Sequence, residues 1–324
     1  MKKTIDVLNK CNDFILISHI SPDGDTLGSA AALCLALKSM GKNATLCLDA
    51  PVPDKLSFLN KYVSFKRPEE LKDKIYECAV AIDTATKLRM GASCKFYELS
   101  EYKLNIDHHP TNERFGYENF IVDKASTGEL ILSILEQMNI CISSEIADCL
   151  FAAVSTDTNN FVYSSVTSDT FLTAAKLAEA GANISDLCNQ IYYQRSYEAT
   201  KLIAIGLSHL NLHCNGKIAT LFMTLDDIYG CGAKREDCDV LVNYAREIKG
   251  VEVAAFVNEM PDGDFKISMR SNTNVDVSAI SVKYGGGGHK KASGHVMKGN
   301  ISDVLETIVE DAKCAINEWD HKCN

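Results

Sequence analysis

The sequence has few basic residues and no long apolar run, and both shortages exclude large classes of protein. It holds 33 lysines and arginines against 43 acidic residues in 324 positions, a formal net charge of −10. Proteins that bind long duplex nucleic acid are usually basic, because neutralising phosphates supplies much of their affinity. No stretch approaches the roughly 18 apolar residues that a membrane-spanning helix needs. We therefore expect no long nucleic-acid partner and no membrane partner, while a short anionic ligand remains compatible with the charge.

The sequence also lacks the features of a secreted chain. Its 13 cysteines include no Cys-x-x-Cys pair, and the first residues show neither the long apolar core nor the small-residue cleavage site of a signal peptide. Disulfide frameworks belong mainly to small secreted domains. An odd number of cysteines in a chain of this length favours reduced thiols in a cytoplasmic protein, most of them packed in its core. Hydrophobic residues at 46% and charged residues at 23% are typical of a folded globular protein, not of disorder.

Short apolar runs alternate with helical patterns through the first half of the chain. Buried strands are predicted at 14–18, 44–48, 78–82 and 102–106. Helices are predicted at 25–40, 126–138, 144–154 and 168–180. Such alternation predicts an α/β fold in which a mostly parallel sheet carries helices on both faces.

The second half has a different pattern. A long helical stretch at 191–210 is followed by predicted strands at 218–223, 251–257 and 265–270, with helices near 240–248 and 302–319. This order predicts a smaller α/β domain with a mixed sheet. Since domains average roughly 150 residues, the length fits two. The expected limits are 1–190 for the first domain, 191–210 for a linking helix and 211–324 for the second domain.

Residues that commonly bind metals follow three of the predicted strands. They are His19, Asp23, Asp25, Asp83, Asp107, His108 and His109. Each has a simpler interpretation alone: Asp25 as a helix cap, Asp83 as the start of a turn, and the two histidines as surface residues of a loop. In open α/β sheets, however, ligands bind outside the carboxyl ends of the strands. We therefore expect these side chains to converge at one edge of the sheet.

Asp157, which follows an apolar helix, completes a set of six candidate ligands. The set is His19, Asp23, Asp25, Asp83, His108 and Asp157. Six ligands are too many for one tetrahedral zinc, but they suit two divalent ions that share a carboxylate. Imidazoles mixed with carboxylates suit Mn²⁺, Fe²⁺ or Zn²⁺ better than Ca²⁺. Successive residues of a strand point in different directions, so only one of His108 and His109 is expected to reach the metals.

A second candidate site lies in the carboxyl-terminal part of the chain. Gly285–Gly288 precede His289, and the N–H groups of such a loop can form an anion-binding nest. Arg270 ends a predicted strand and can bind a phosphate through two parallel hydrogen bonds. The simpler interpretation is a flexible loop with a solvated basic end. We favour a phosphate-binding site formed by Arg270, Gly287, Gly288 and His289.

Taken in order, these motifs resemble those of the DHH phosphoesterase superfamily. The matching residues are His19, Asp23, Asp25, Gly28, Ser29, Asp83, Asp107, His108, His109 and Asp157. The glycine run with His289, Ala292 and Gly294 resembles the DHH-associated substrate-binding domain. The resemblance implies a Mn²⁺-dependent hydrolase of phosphate esters whose active site lies in a cleft between two domains. One metal would take His19, Asp23 and Asp83, and the other would take Asp25, Asp83, His108 and Asp157, so that Asp83 bridges.

The resemblance also implies roles for two neighbouring residues and a substrate class. Asp107 would orient the His108 ring, and His109 would act as an acid toward the leaving group. The length of the chain resembles the nanoRNase type of the superfamily, which hydrolyses very short RNAs and the 3′-phosphate of adenosine 3′,5′-bisphosphate. Relatives of this type suggest a homodimer. Asn159 and Val162 depart from the pattern, which commonly has glycine and arginine there, and this departure bears on substrate preference.

Two alternatives use the same residues. One is a phosphodiesterase for cyclic di-AMP or its linear product pApA, since either reaction cleaves one phosphodiester. The other is a catalytically silent nucleotide-binding module, whose sequence would have lost metal ligands. None of the six is lost here, which favours an enzyme.

Overall fold

The chain forms two compact units, Met1–Gln194 and Arg195–Asn324. The computed structural model describes residues 1–72, 74–272 and 275–323, with side chains described up to Trp319. The stretch 191–210, predicted as a linking helix, is divided between the two units. Its helical part, Tyr197–Ser208, packs Leu202 and Ile203 into the core of the second unit.

The first unit is built on a six-stranded parallel sheet. Its strands are β1 (Asp13–Ile17), β2 (Asn43–Cys47), β3 (Phe65–Lys66), β4 (Cys78–Ile82), β5 (Tyr102–Asp107) and β6 (Glu118–Ile121). They lie in the order β3-β2-β1-β4-β5-β6, and every neighbouring pair is parallel. The predicted mostly parallel sheet is confirmed. The two edge strands, β3 and β6, were not predicted, because neither is a buried apolar run.

Helices cover both faces of this sheet, as the sequence predicts. They are α1 (Lys2–Lys10), α2 (Gly24–Ser39), α3 (Cys94–Leu99), α4 (Thr127–Gln137), α5 (Ser144–Asp157), α6 (Ser168–Glu179) and α7 (Ile184–Cys188). Strand β1 shows why both faces are covered: Phe14 and Leu16 join the core with α2, α4 and α5, while Ile15 and Ile17 pack with α3. Each such side chain contributes about 1.5–3 kcal/mol when fully buried.

Helix α2 lies close against α5, and this contact brings two candidate ligands together. The helix begins after Asp23, whose side chain accepts the Thr26 N–H at 3.1 Å and caps the first turn. A Cβ atom at Gly28 would collide with the Cys149 carbonyl oxygen of α5, so only glycine permits this approach. Asp25 stands in the first turn of α2, and Asp157 is the last residue of α5.

The second unit contains a mixed sheet, which confirms the prediction. Its strands are β7 (Asn211–His213), β8 (Ile218–Met223), β9 (Val253–Glu259), β10 (Phe265–Ser271), β11 (Gly287–His289) and β12 (Ala292–Met297). They lie in the order β11-β12-β10-β9-β8-β7, and within it only the β8–β9 pair is parallel. Its helices are α8 (Tyr197–Ser208), α9 (Leu225–Gly230), α10 (Leu241–Arg246), α11 (Val277–Lys283) and α12 (Ile301–Cys323). Helices α8 to α10 cover one face of the sheet, and α11 and α12 cover the other.

The remaining regular segments are short. They comprise 3-10 turns at Asp54–Lys61, Pro68–Glu70, Lys87–Ser93, Cys214–Gly216 and Arg235–Val240, and a π turn at Asn189–Tyr193. Within the described parts of the chain, no helix combines the length and the apolar character needed to cross a bilayer.

Candidate metal centre and phosphate-binding row

The candidate ligands lie at the carboxyl edge of the parallel sheet, where its strand order reverses. The order runs backward from β3 to β1 and forward from β4 to β6, so the reversal falls between β1 and β4. His19 follows β1 and Asp83 follows β4. Ligands of open α/β sheets bind at such a point because the connections leave in opposite directions and open a crevice.

His19, Asp23 and Asp83 form the first group of candidate ligands, with their ligand atoms within 4.8 Å of one another. The His19 Nε2 atom lies 3.6 Å from Asp23 Oδ2 and 3.5 Å from Asp83 Oδ2. Burial opposes protonation of this ring, but the two carboxylates outweigh it and raise the pKa of His19 to about 9. His19 Nε2 is therefore the ring nitrogen directed at the carboxylates.

Asp25, His108 and Asp157 form the second group. The His108 Nε2 atom lies 3.4 Å from Asp157 Oδ2, 3.8 Å from Asp25 Oδ2 and 3.6 Å from Asp83 Oδ1. Asp83 thus contacts both groups, with one carboxylate oxygen toward His19 and the other toward His108. The six residues grouped from the sequence meet around Asp83, and together they are called the metal cluster below.

The His108 ring is held in the tautomer that a metal ligand needs. Its Nδ1 atom lies 2.9 Å from the Lys124 carbonyl oxygen, which can only accept, so Nδ1 carries the proton. The buried Nε2 atom is then the ring nitrogen left for a metal, and within the described residues it makes no hydrogen bond. Such an orphaned nitrogen, facing three carboxylates, fits a divalent cation.

Asp25 is fixed by the chain around it. Its carboxylate accepts the N–H groups of Thr127 at 2.7 Å and Gly128 at 2.9 Å, and the Ser29 hydroxyl at 3.2 Å. Even so, burial and the charges of Asp83 and Asp157 raise the pKa of Asp25 well above its usual range. Burial is likewise the main cause that raises the pKa of Asp157 to about 6. Carboxylates crowded in this way are relieved by cations.

Asp83 occupies a backbone conformation that few residues adopt. Its φ angle is +55°, in the left-handed region that asparagine and aspartate tolerate better than most side chains. Its Oδ1 atom accepts the Thr127 hydroxyl at 3.0 Å, and its N–H donates to the Ile106 carbonyl. The turn after β4 is thereby attached to the end of β5 and to α4.

The prediction that Asp107 orients the His108 ring is wrong. The Asp107 carboxylate instead contacts the His109 ring, with 2.7 Å between Oδ1 and Nδ1, and accepts the backbone N–H of His108. Asp107 also accepts the Asn112 side-chain amide at 2.5 Å. The carbonyl of Lys124 thus supports the His108 ring and Asp107 supports the His109 ring, while both rings lie 3.6 Å from Asp83 Oδ1, His108 through Nε2 and His109 through Nδ1.

Several supporting groups were missed by the sequence analysis. The N–H groups of Thr127 and Gly128 were detectable only as the start of a predicted helix, which α4 confirms, and Ser126 caps it by accepting the Glu129 N–H. The Lys124 carbonyl and the amide of Asn112 carried no signal, since neither belongs to a residue type that by itself predicts a site.

In the second unit, strand register brings Arg270 and His289 into one row. Arg270 pairs with Ala292 across β10 and β12, and His289 pairs with the same Ala292 across β11 and β12. Directly paired residues point to the same face of a sheet, so these two side chains share a face, two strand spacings or about 10 Å apart. Arg270, Ala292 and His289 are called the phosphate row below.

The four glycines before His289 have divided roles. The N–H of Gly285 donates to the Val282 carbonyl and that of Gly286 to the Ser281 carbonyl, so both end helix α11. The N–H groups of Gly285 and Gly286 are therefore already engaged, and the prediction that all four glycine N–H groups form an anion-binding nest is wrong for these two. Gly287 and Gly288 belong to β11, and a Cβ atom at Gly288 would collide with the neighbouring strand β12.

Fold and site together define an α/β protein with a cluster of candidate metal ligands at its sheet edge. The family model described as DHH family, N-terminal domain, matches residues 13–154, and the DHHA1 domain model matches residues 215–318. The chain is 32% identical to the bifunctional oligoribonuclease and PAP phosphatase NrnA of Thermus thermophilus, over 96% of this chain and 92% of that protein. The chain belongs to the DHH family, as its motifs predict.

Two solved structures share the fold. An exopolyphosphatase-related protein from Bacteroides fragilis superposes with a TM-score of 0.90 at 22% identity, covering 98% of this chain and 97% of that one. RecJ from Thermus thermophilus, solved in complex with Mn²⁺, superposes with a TM-score of 0.54 at 13% identity and covers 99% of this chain and 54% of RecJ. Both likenesses concern the architecture of the chain.

Proposed function

We propose that this protein is a phosphoesterase that hydrolyses short oligoribonucleotides to mononucleotides and adenosine 3′,5′-bisphosphate to AMP. The observation that carries the proposal is the convergence of six ligands on Asp83 in two groups. Support for the substrate class comes from the relative in Thermus thermophilus, which is named for both activities. Residues 1–190 would form the catalytic domain and 211–324 the substrate-binding domain.

Two divalent ions fit this donor set, and Mn²⁺ is the proposed ion. His19, Asp23 and Asp83 would hold one ion, and Asp25, Asp83, His108 and Asp157 the other. The orphaned Nε2 atom of His108 and the raised pKa values of Asp25 and Asp157 favour bound cations. Ions bound there would lower the pKa of a water molecule and polarise a phosphoryl oxygen. RecJ, which shares the fold, binds Mn²⁺.

His109 is the proposed general acid, positioned by Asp107. The hydrogen bond from His109 Nδ1 to Asp107 is the main cause that raises the pKa of His109, so its ring holds a proton more readily than a free histidine. With Nδ1 engaged, Nε2 is the atom that can donate a proton to the leaving oxygen. A positioned acid of this kind contributes about 10²–10⁴-fold to rate.

Arg270, Gly287, Gly288 and His289 are the proposed substrate-binding residues of the second domain. Arg270 and His289 share a face of the sheet, so one extended anion can contact both. The guanidinium of Arg270 is suited to a phosphate because its N–H groups match two phosphate oxygens. Gly287 and Gly288 allow the backbone to lie close to that anion.

We further propose a cytoplasmic location. The twelve cysteines whose side chains are described are free thiols, six of them buried. Burial is the main cause that raises the pKa of Cys149, Cys47 and Cys238, and thiols held protonated in this way resist oxidation. Reduced thiols are typical of the cytosol.

A substrate panel with the purified full chain and Mn²⁺ tests the proposed activity. The panel contains mixed-sequence dinucleotides, adenosine 3′,5′-bisphosphate, pApA and cyclic di-AMP. We expect mononucleotides from the dinucleotides and AMP from the bisphosphate. A protein that binds Mn²⁺ and releases nothing from these two classes contradicts the proposal, and faster hydrolysis of cyclic di-AMP or pApA favours the alternative phosphodiesterase.

A further inference from the structure

The arginines of the first unit are few and unevenly placed. Residues 1–194 contain three of them, Arg67, Arg89 and Arg114. Arg67 lies 3.6 Å from Asp49 and 3.5 Å from Glu69, so its charge is paired. Arg89 and Arg114 are exposed, and neither makes an ion pair within 4 Å with any residue that the structure describes. Two of the three arginines therefore keep their guanidinium groups available in a chain with an excess of acid.

Both of these arginines stand in loops that adjoin the metal cluster. The N–H of Ile20, the residue after His19, donates to the Arg89 carbonyl at 2.8 Å. Arg89 thus lies beside the loop that carries the first group of ligands.

Arg114 is tied to the other side of the cluster. The N–H of Glu113 donates to the Ala85 carbonyl at 2.9 Å, which holds this loop against the turn after Asp83. The Arg114 N–H donates to the Asn112 side chain at 2.6 Å, and Asn112 in turn donates to Asp107. Arg114 has a φ angle of +52°, a conformation rare for a non-glycine residue and held here by these bonds.

We infer that Arg89 and Arg114 bind a phosphate of the substrate other than the one that is hydrolysed. The inference rests on the proposed function. Both proposed substrate classes carry a second phosphate. Adenosine 3′,5′-bisphosphate carries a 5′-phosphate beside the 3′-phosphate that is removed, and a 5′-phosphorylated dinucleotide carries one beside its phosphodiester. Guanidinium groups bind phosphate oxygens in pairs, and unpaired arginines at the rim of a metal cluster suit this use.

The experiment compares substrates that differ only in the second phosphate. Adenosine 3′,5′-bisphosphate is paired with adenosine 3′-monophosphate, and pApA is paired with ApA. Values of kcat/KM are measured with Mn²⁺ for the wild type, Arg89→Gln and Arg114→Gln. For at least one variant, we expect the preference for the second phosphate to fall about 10- to 100-fold, the loss that follows removal of a charge-assisted hydrogen bond.

Lys103→Gln is the matched control. It removes one positive charge from the same unit, but Lys103 stands at the opposite end of β5, where its Nζ atom donates to the Ser100 carbonyl at 2.8 Å. Its preference for the second phosphate should equal that of the wild type. An unchanged preference in both arginine variants overturns the inference, and so does an equal fall in Lys103→Gln, which would indicate a general charge effect.

Failure of the proposed function has a distinct signature. A wild type that hydrolyses none of the four compounds contradicts the proposed function, and binding of adenosine 3′,5′-bisphosphate with Mn²⁺ present can then be measured without turnover. Binding at least about 10-fold weaker in Arg89→Gln or Arg114→Gln than in Lys103→Gln still supports the arginine site. Equal binding by all of these proteins, or none by the wild type, overturns it.

Discussion

The metal cluster of the first unit and the phosphate row of the second differ in burial and in support. His19, Asp25 and Asp83 are almost fully buried, and hydrogen bonds from the first turn of α4 hold the carboxylates of Asp25 and Asp83. His289 is exposed, and strand pairing places it on the same face as Arg270, two strands away. The cluster gathers carboxylates in a small volume, whereas the row holds one guanidinium and one imidazole two strands apart.

Under the proposed function, this difference predicts two kinds of contribution. Buried groups with fixed partners can hold charge in place during a chemical step, because little reorganisation is needed. Exposed groups on a sheet surface bind the substrate similarly before and during reaction, which affects affinity more than turnover. Substitutions in the two regions should therefore change different kinetic parameters.

Asp83→Asn is expected to have the largest effect. Asparagine tolerates the φ of +55° at this position and keeps the size of the side chain, so the variant tests charge rather than backbone strain. Loss of the carboxylate that contacts both groups should lower kcat by about 10³-fold or more, since metal ions supply several kcal/mol of charge stabilisation. Initial rates and bound Mn²⁺ per chain are the measurements. Activity within tenfold of wild type would contradict a bridging role.

Arg270→Ala should act mainly on KM. Removal of one charge-assisted contact costs about 1.5–3 kcal/mol, or roughly 10- to 100-fold in affinity, and kcat should change little. His289→Ala should follow the same pattern more weakly, because a single imidazole replaces the paired donors of arginine. Steady-state kinetics on a dinucleotide measures both. A fall in kcat with KM unchanged would place Arg270 with the chemistry rather than with binding.

Gly28→Ala tests the close packing on which the first region depends. The added Cβ would collide with the Cys149 carbonyl of α5, so the free energy of unfolding should fall by about 1–3 kcal/mol. Gly230→Ala in the second unit is the control, because no atom lies within 4 Å of its added Cβ. Urea unfolding of both variants gives the comparison, and equal stability would show that α2 and α5 can separate at no cost.

The thermal stability of the metal-free protein should depend on pH, and this dependence tests the assignment of His19. The expected effect is smaller than those of the substitutions above. The pKa of His19 is raised to about 9 from an ordinary 6.5. A raised pKa means that protonation stabilises the folded state fully below pH 6.5, and that this stabilisation is lost as the pH rises through 9. Without metal, Tm should therefore fall over this range by about 2–4 °C for each kcal/mol lost.

Added Mn²⁺ and a His19→Gln variant complete that test. Metal and proton compete for the same nitrogen, so stabilisation by Mn²⁺ should grow over the same pH range. His19→Gln has no proton to lose at position 19, so its metal-free Tm should fall less than that of the wild type between pH 6.5 and 9, and the remaining fall is expected from His109, whose pKa is also raised. A wild-type Tm that rises over this range would contradict the assignment of His19 to the cluster.

Much of the fold followed from simple patterns, and the failures have physical causes. Apolar runs such as Phe14–Ile17 predicted the central strands because a parallel sheet buries both faces. Strands β3 and β6 escaped prediction because they are short and half-buried or exposed at the edges. In the second unit, β11 and β12 were not predicted, since glycines there resembled a loop.

The candidate metal ligands were also easier to predict than the groups that hydrogen-bond to them. Strand ends place residues in space, so the positions of Asp83 and His108 could be inferred without knowing any side-chain direction. The partner of Asp107 could not, because the direction in which each ring points depends on the local backbone. No motif in the sequence marks Arg89 and Arg114 as neighbours of the metal cluster. Their placement depends on loop-to-loop hydrogen bonds between main-chain atoms.

The carbonyl of Lys124 and the N–H groups of Thr127 and Gly128 have a further consequence for how this centre tolerates substitution. They orient His108 and hold Asp25 through main-chain atoms, which every substitution except one to proline at 127 or 128 leaves in place. Substitutions that keep the path of the chain at these three positions should therefore leave the orientation of His108 and the main-chain contacts of Asp25 intact. Only the hydroxyl contacts, of Ser29 with Asp25 and of Thr127 with Asp83, depend on which side chains stand there.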